Sequence, residues 1–356
     1  MWFFGGGRLD NINFFLQYGY LPQRLDVFGT IFHNYREGYE DMSYYKFLEL
    51  RDSISTDPSD KKIYGLAPYG DRSFGASLDF MWPFSIYSRL DFGSSLTWRT
   101  RSWYDINTSS NANIITGDWT KDPDAMPENA NSLELRASWS FDNAEWGSTG
   151  PILGERLWVG GTVLTPKILQ DKYAFWRLDM DFRKYFRVFK RYTFAWRVAG
   201  GISEAMSGYA NPHRYLLGGD SWTINWHFNE NNWRGTQENV FFDTWEAPLR
   251  GFKYHDFAGT RMALTNLEFR FPFIDYLALG WPIPLTIGNV MGVGFLDYGG
   301  TWDNRNFMEN RGMGFGAGLR LNLGMFVLRY TKSWAVKEMS SVPYSEYTYW
   351  SLGAEF

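Results

Sequence analysis

A guanidinium offers a planar fork of donors suited to bidentate capture of carboxylates. The stretch Ala247-Pro248-Leu249-Arg250-Gly251-Phe252-Lys253-Tyr254 carries one such group, between a long polar segment and a strand-like run, Arg261 to Phe271. Two acids follow in alternating, apolar surroundings, Glu268 and Asp297. The chemistry that these three offer is a buried ion pair rather than a reaction. No other set competes with it. His33, His213, His227 and His255 show no metal-ligand spacing, and no Ser-His-acid set stands out. Gly312 to Gly318 looks superficially like a nucleotide loop, but no helix follows it, so it reads as a strand. Asp118, Asp122 and Asp124 lack the remaining ligands of a calcium loop and read as a solvated acidic segment. No catalytic residue, metal site or cofactor is expected.

The elements that must position Arg250 follow from composition and periodicity. Aromatic residues make up 20% of the 356-residue chain, yet mean hydropathy is −0.37. Apolar residues are spread in alternation with charged ones, and no apolar run is long enough for a transmembrane helix. That pattern suits strands facing lipid on one side and water on the other. A net charge of −4 argues against a nucleic-acid binder. The absence of cysteine is compatible with export and removes disulfides and thiolate sites. Met1 to Gly7 lacks the features of a signal peptide; if the chain is an outer-membrane protein, its export signal is expected upstream.

Period-two segments run along the chain: Asn11 to Tyr20, Leu25 to Asn34, Ser73 to Met81, Tyr87 to Arg99, Ser132 to Asp142, Arg156 to Leu164, Ala174 to Tyr185 and Tyr192 to Gly200. A partial strand is also read at Trp2 to Gly6. In the clearest case Trp176, Leu178, Met180 and Phe182 oppose Arg177, Asp179, Asp181 and Arg183. The long interruption Ile202 to Thr260 reads as a structureless loop, and one of this length inside a compact fold is functional or mobile. Five strands follow it: Met262 to Phe271, Thr286 to Tyr298, Gly312 to Leu323, Phe326 to Trp334 and Glu346 to Phe356. In the third, Gly312, Gly314, Gly316 and Gly318 line one face and leave room for something to lie against the wall. Short turns alternate with long loops, the asymmetry of an outer-membrane barrel. The chain ends with Trp350, Leu352, Ala354 and Phe356 on one face, a terminus similar to the targeting signal of bacterial outer-membrane proteins.

Three elements in order carry a specific likeness: the paired Gly218-Gly219 followed by Leu249-Arg250-Gly251-Phe252; Asn266-Leu267-Glu268-Phe269-Arg270-Phe271-Pro272; and Phe295-Leu296-Asp297-Tyr298-Gly299-Gly300-Thr301-Trp302. With the five strands after the loop, they resemble the barrel of the BamA/TamA superfamily, the outer-membrane insertases and two-partner secretion translocators also called bacterial surface antigens. The segment Ser221 to Pro248, between the glycines and Arg250, is longer than in the well-known insertases and points to a divergent branch.

The resemblance implies an all-β, transmembrane antiparallel β-barrel with a long lumen-inserted loop, of which about 13–14 strands of about sixteen are present. Residues 1–356 are then one barrel domain, with the first strands and the periplasmic modules missing. It also implies that Arg250 reaches a wall carrying Glu268, Phe295, Asp297 and Gly299. The expected partners are outer-membrane lipid and unfolded outer-membrane or secreted polypeptides, and no nucleic acid. The expected function is assistance to protein insertion or translocation at the bacterial outer membrane. The alternative is a passive pore or surface-display anchor whose plug loop is only structural.

Overall fold

The computed structural model describes residues 13–21, 24–41, 66–106, 119–121, 128–165, 173–211, 213–220, 245–253, 256–280, 285–303, 307–323, 326–337 and 345–353. Before the interruption these form β1 (Phe14–Tyr20), β2 (Asp26–Asp41), β3 (Leu66–Pro83), β4 (Ser88–Ile106), β5 (Trp119–Lys121), β6 (Glu128–Asp142), β7 (Glu145–Gly147), β8 (Gly150–Thr165), β9 (Phe175–Phe189) and β10 (Tyr192–Ala205). The interruption holds β11 (Tyr215–Leu217), β12 (Trp245–Ala247) and β13 (Phe257–Gly259). After it come β14 (Arg261–Leu279), β15 (Leu285–Trp302), β16 (Asn310–Asn322), β17 (Val327–Lys337) and β18 (Ser345–Leu352).

Among the described residues, each of the thirteen long alternating segments contributes one strand to a continuous antiparallel path, β1-β2-β3-β4-β6-β8-β9-β10-β14-β15-β16-β17-β18, within a fifteen-stranded sheet. The short β5 pairs with β4 and β7 with β8 off that path. Several strands run well past the alternating core that marks them in the sequence. β2 and β3, for example, stay paired out to Asp41↔Leu66, because backbone ladders continue beyond the band where side chains must alternate. The partial strand at Trp2 to Gly6, the Asp118, Asp122 and Asp124 cluster, His227, His255 and the terminal Phe356 lie outside the described residues.

The two faces invert the soluble pattern. Leu178 is 54% exposed while its neighbour Asp179 is 5% exposed, and the aromatic side chains Phe74, Trp139, Phe269 and Trp350 all face outward. An outward apolar face with polar residues turned inward is stable only where the outside is lipid. The sheet curls tightly enough that the tip of the β7–β8 hairpin meets distant strands. Arg270 on β14 donates to the Pro151 carbonyl at 2.8 Å, and Asn322 at the end of β16 donates to the Ser148 carbonyl.

The interruption differs from the structureless loop expected of it. Strand β10 continues into it as far as Ala205, and β11, β12 and β13 make a separate three-stranded sheet. β11 lies in the centre, parallel to β12 and antiparallel to β13. Strands of three residues show no period, so alternation could not reveal them.

Candidate functional site

The small sheet carries a turn, Leu249 to Phe252, onto the inner face of β14 to β18. Apolar burial supplies the attachment: Leu217, Ala247, Leu249, Phe252 and Phe257 of the loop pack with Met262, Leu264 and Ala335 of the wall. The Phe252 and Phe257 rings meet edge to face with centroids 4.9 Å apart. Fully burying one such side chain is worth about 1.5–3 kcal/mol, so these residues contribute to seating the loop. At its root, Tyr215 donates to Asp179 on β9 at 2.5 Å.

Arg250 sits at the tip, 2% exposed, and meets both acids. Its Nε and Nη2 donate to the two oxygens of Asp297 at 2.7 Å each, the bidentate fork, and its backbone N–H adds a third bond to the same carboxylate at 3.2 Å. Nη1 donates to Glu268 at 2.6 Å. The guanidinium lies over the Phe295 ring, 3.8 Å from its centroid. Burial works against the charged form, but Asp297 and then Glu268 outweigh it and hold the Arg250 guanidinium above its ordinary range. Because buried ion pairs roughly break even against apolar replacements, the network fixes the register of the turn more than it adds net attachment.

Two partners of Glu268 escaped sequence reasoning. Arg270 donates to it at 2.9 Å and Arg320 at 2.6 Å, so three guanidiniums converge on one carboxylate. The signal was available in part: Arg270 lies two residues from Glu268 and so on the same face. Arg270 also holds the Pro151 carbonyl, which ties the inward-folded turn of β7 and β8 to the same cluster.

The glycines have distinct tasks. Gly251 has φ +98°, and a Cβ there would press on the Trp334 carbonyl at 2.8 Å. A Cβ at Gly314 would fall onto the Arg250 carbonyl oxygen, and one at Gly312 onto the Phe252 ring. Gly218 and Gly219 have φ values of 136° and 72° at the start of the inward path. Gly299, by contrast, makes room for Leu264 of the wall rather than for the loop tip. Of the terminal set, Trp350 is exposed on the outer face and Leu352 is partly exposed.

Gly314→Val is therefore expected to push the loop tip off the wall. Gly294→Val is its control, because a Cβ at Gly294 meets nothing within 4 Å. Limited proteolysis checks this: cleavage within 245–260 should rise at least tenfold for Gly314→Val and stay unchanged for Gly294→Val. Equal resistance of the two variants would show that the close approach does not hold the loop.

At the short-turn end a cavity of about 880 Å³ opens between Arg89, Asp142, Arg156, Trp158, Asp181 and Arg183. Its charges are of both signs, which does not favour selection of one ion type.

Comparison with known proteins gives the same architecture. The model of the Omp85 superfamily domain matches residues 11–356. Among solved structures, the chain is similar to BamA from Haemophilus ducreyi lacking POTRA domains 1-3, at 14% identity and a TM-score of 0.57, covering 96% of this chain and 62% of that one. It is similar to CdiB from Acinetobacter baumannii at 12% identity and a TM-score of 0.53, covering 96% and 49%. It is also similar to CdiB from Escherichia coli at 13% identity and a TM-score of 0.53, covering 96% and 52%. The chain thus spans 49% to 62% of the length of these three solved chains. No curated protein matches it.

Proposed function

We propose that this chain, which belongs to the Omp85 superfamily and is a bacterial outer-membrane β-barrel, assists the insertion of proteins into the outer membrane or their translocation across it. The observation that carries this reading is the seated loop. A passive diffusion pore works through an unobstructed lumen, whereas here Leu249 to Phe252 and their sheet lie against the inner wall, pinned by Arg250. The inward turn of β7 and β8 adds a second obstruction from the short-turn end. A buried, ion-paired element seated on the inner wall suits a machine that changes state around a polypeptide better than a channel for small solutes. Unfolded outer-membrane or secreted polypeptides are the substrates this reading names, and lipid is the surrounding partner. Residues Gly218, Gly219, Leu249 to Phe252, Glu268, Phe295 and Asp297 are its working set, and Gly299 supports it by accommodating Leu264.

Depletion of the full-length protein tests the proposal. Other outer-membrane barrels, or a secreted protein, should fall several-fold in abundance at their destination while transcription is unchanged. Unchanged levels of both, together with a large steady conductance of the purified protein in planar bilayers, would instead favour the passive pore.

A further inference from the structure

The loop reaches beyond β14 and β15 to the last strand, through residues that the Arg250 cluster does not include. Asp220, directly after the two glycines, is 1% exposed and accepts a hydrogen bond from Arg329 on β17 at 2.8 Å. Its second oxygen lies 3.5 Å from Thr331 Oγ1 and 3.5 Å from Ser351 Oγ, the latter on β18. Arg329 and Ser351 face one another in the β17–β18 register, so one carboxylate spans both strands. On the same strand, Tyr349 donates its hydroxyl to the Phe252 carbonyl at 2.8 Å and accepts the Gly251 N–H at 3.2 Å. Tyr349 and Ser351 are two residues apart and face the same way.

Among the described residues β18 pairs along one edge only, with β17. Beside side-chain contacts with β17, such as Lys332 to Glu346 at 2.8 Å and Trp334 to Glu346 at 3.1 Å, β18 is tied to the loop at the Asp220 carboxylate and the Tyr349 hydroxyl. We infer that Asp220 and Tyr349 are positioning residues that couple the seated loop to β18, so that loop seating sets the order of the last strand. Coupling of this kind is reciprocal: loosening β18 must also loosen the loop. Both contact points are buried, so weakening either should have a local and measurable effect. The inference does not depend on which polypeptide the barrel handles.

Hydrogen exchange of the full-length protein in nanodiscs provides the test, comparing wild type with Asp220→Asn and Tyr349→Phe. The expected result is at least tenfold faster exchange across 345–352 in one or both variants, with 285–302 unchanged. Tyr349→Phe should also speed exchange across 249–253, the reciprocal arm. If neither variant alters 345–352, or if all strands speed up together, the coupling is overturned. Its failure would leave the depletion experiment untouched, and a negative depletion result would leave this exchange pattern standing.

Discussion

Replacing Arg250 with alanine is expected to release the loop from the inner wall and to lower the stability of the folded barrel by about 3–5 kcal/mol. The reason lies in what stays behind. All the hydrogen bonds to the Asp297 carboxylate among the described residues come from Arg250, so the variant strands a fully buried acid. Glu268 is less affected, because Arg270 and Arg320 still hold it. A second substitution separates these effects. Arg250→Ala with Asp297→Asn should recover part of the loss, since it removes the stranded charge, and the cycle of single and double variants measures the recovery. Arg250→Lys keeps the charge but cannot fork onto Asp297 while reaching Glu268, so it should lie between. The urea midpoint of the folded band on semi-native gels reports each value. An Arg250→Ala midpoint equal to wild type would show that the pair is dispensable.

Glu268→Gln is expected to be worse than Arg250→Ala. It leaves Arg250, Arg270 and Arg320 around a neutral amide, with Asp297 bound to one of them. Two like charges then face each other in a buried site. The cost should reach or exceed the upper end of about 3–5 kcal/mol for one broken buried pair. Arg270 also grips the Pro151 carbonyl, so the disturbance extends to the inward turn of β7 and β8. The expected outcome is loss of most folded barrel from the membrane fraction, with the remainder cleaved at both the loop and 143–155. Asp297→Asn, which relieves a single arginine of its fork, should retain more folded protein. Equal yields of the two variants would contradict the convergence of three arginines on Glu268.

The strands were legible because lipid outside and charge inside force strict alternation, as Arg177 to Arg183 shows against Trp176 to Phe182. The loop's wall partners were legible for the same reason: Glu268 and Asp297 are acids at positions where alternation turns them inward. The glycine row of β16 also announced a close approach, and Gly312 and Gly314 receive Phe252 and the Arg250 backbone. What remained hidden is tertiary. Nothing local to Asp220 indicates that it would meet Arg329, which lies 109 residues away. Tyr349 looks like one aromatic among many, yet it turns inward while its neighbour Trp350 faces out. The turn at Ser148 and Thr149 carries no local signal of its inward path, which is set by Arg270 and Asn322 on strands far along the chain.

The central claim, that the loop tip is seated on the wall in the native protein, is tested most directly at two amides. The Arg250 N–H donates to Asp297 and the Gly251 N–H donates to Tyr349, both buried. Hydrogen exchange of the full-length protein in nanodiscs should therefore show residues 249–253 protected to a degree comparable with β14 and β15. Exchange of that segment within seconds, at the rate of an unstructured loop, would contradict the account.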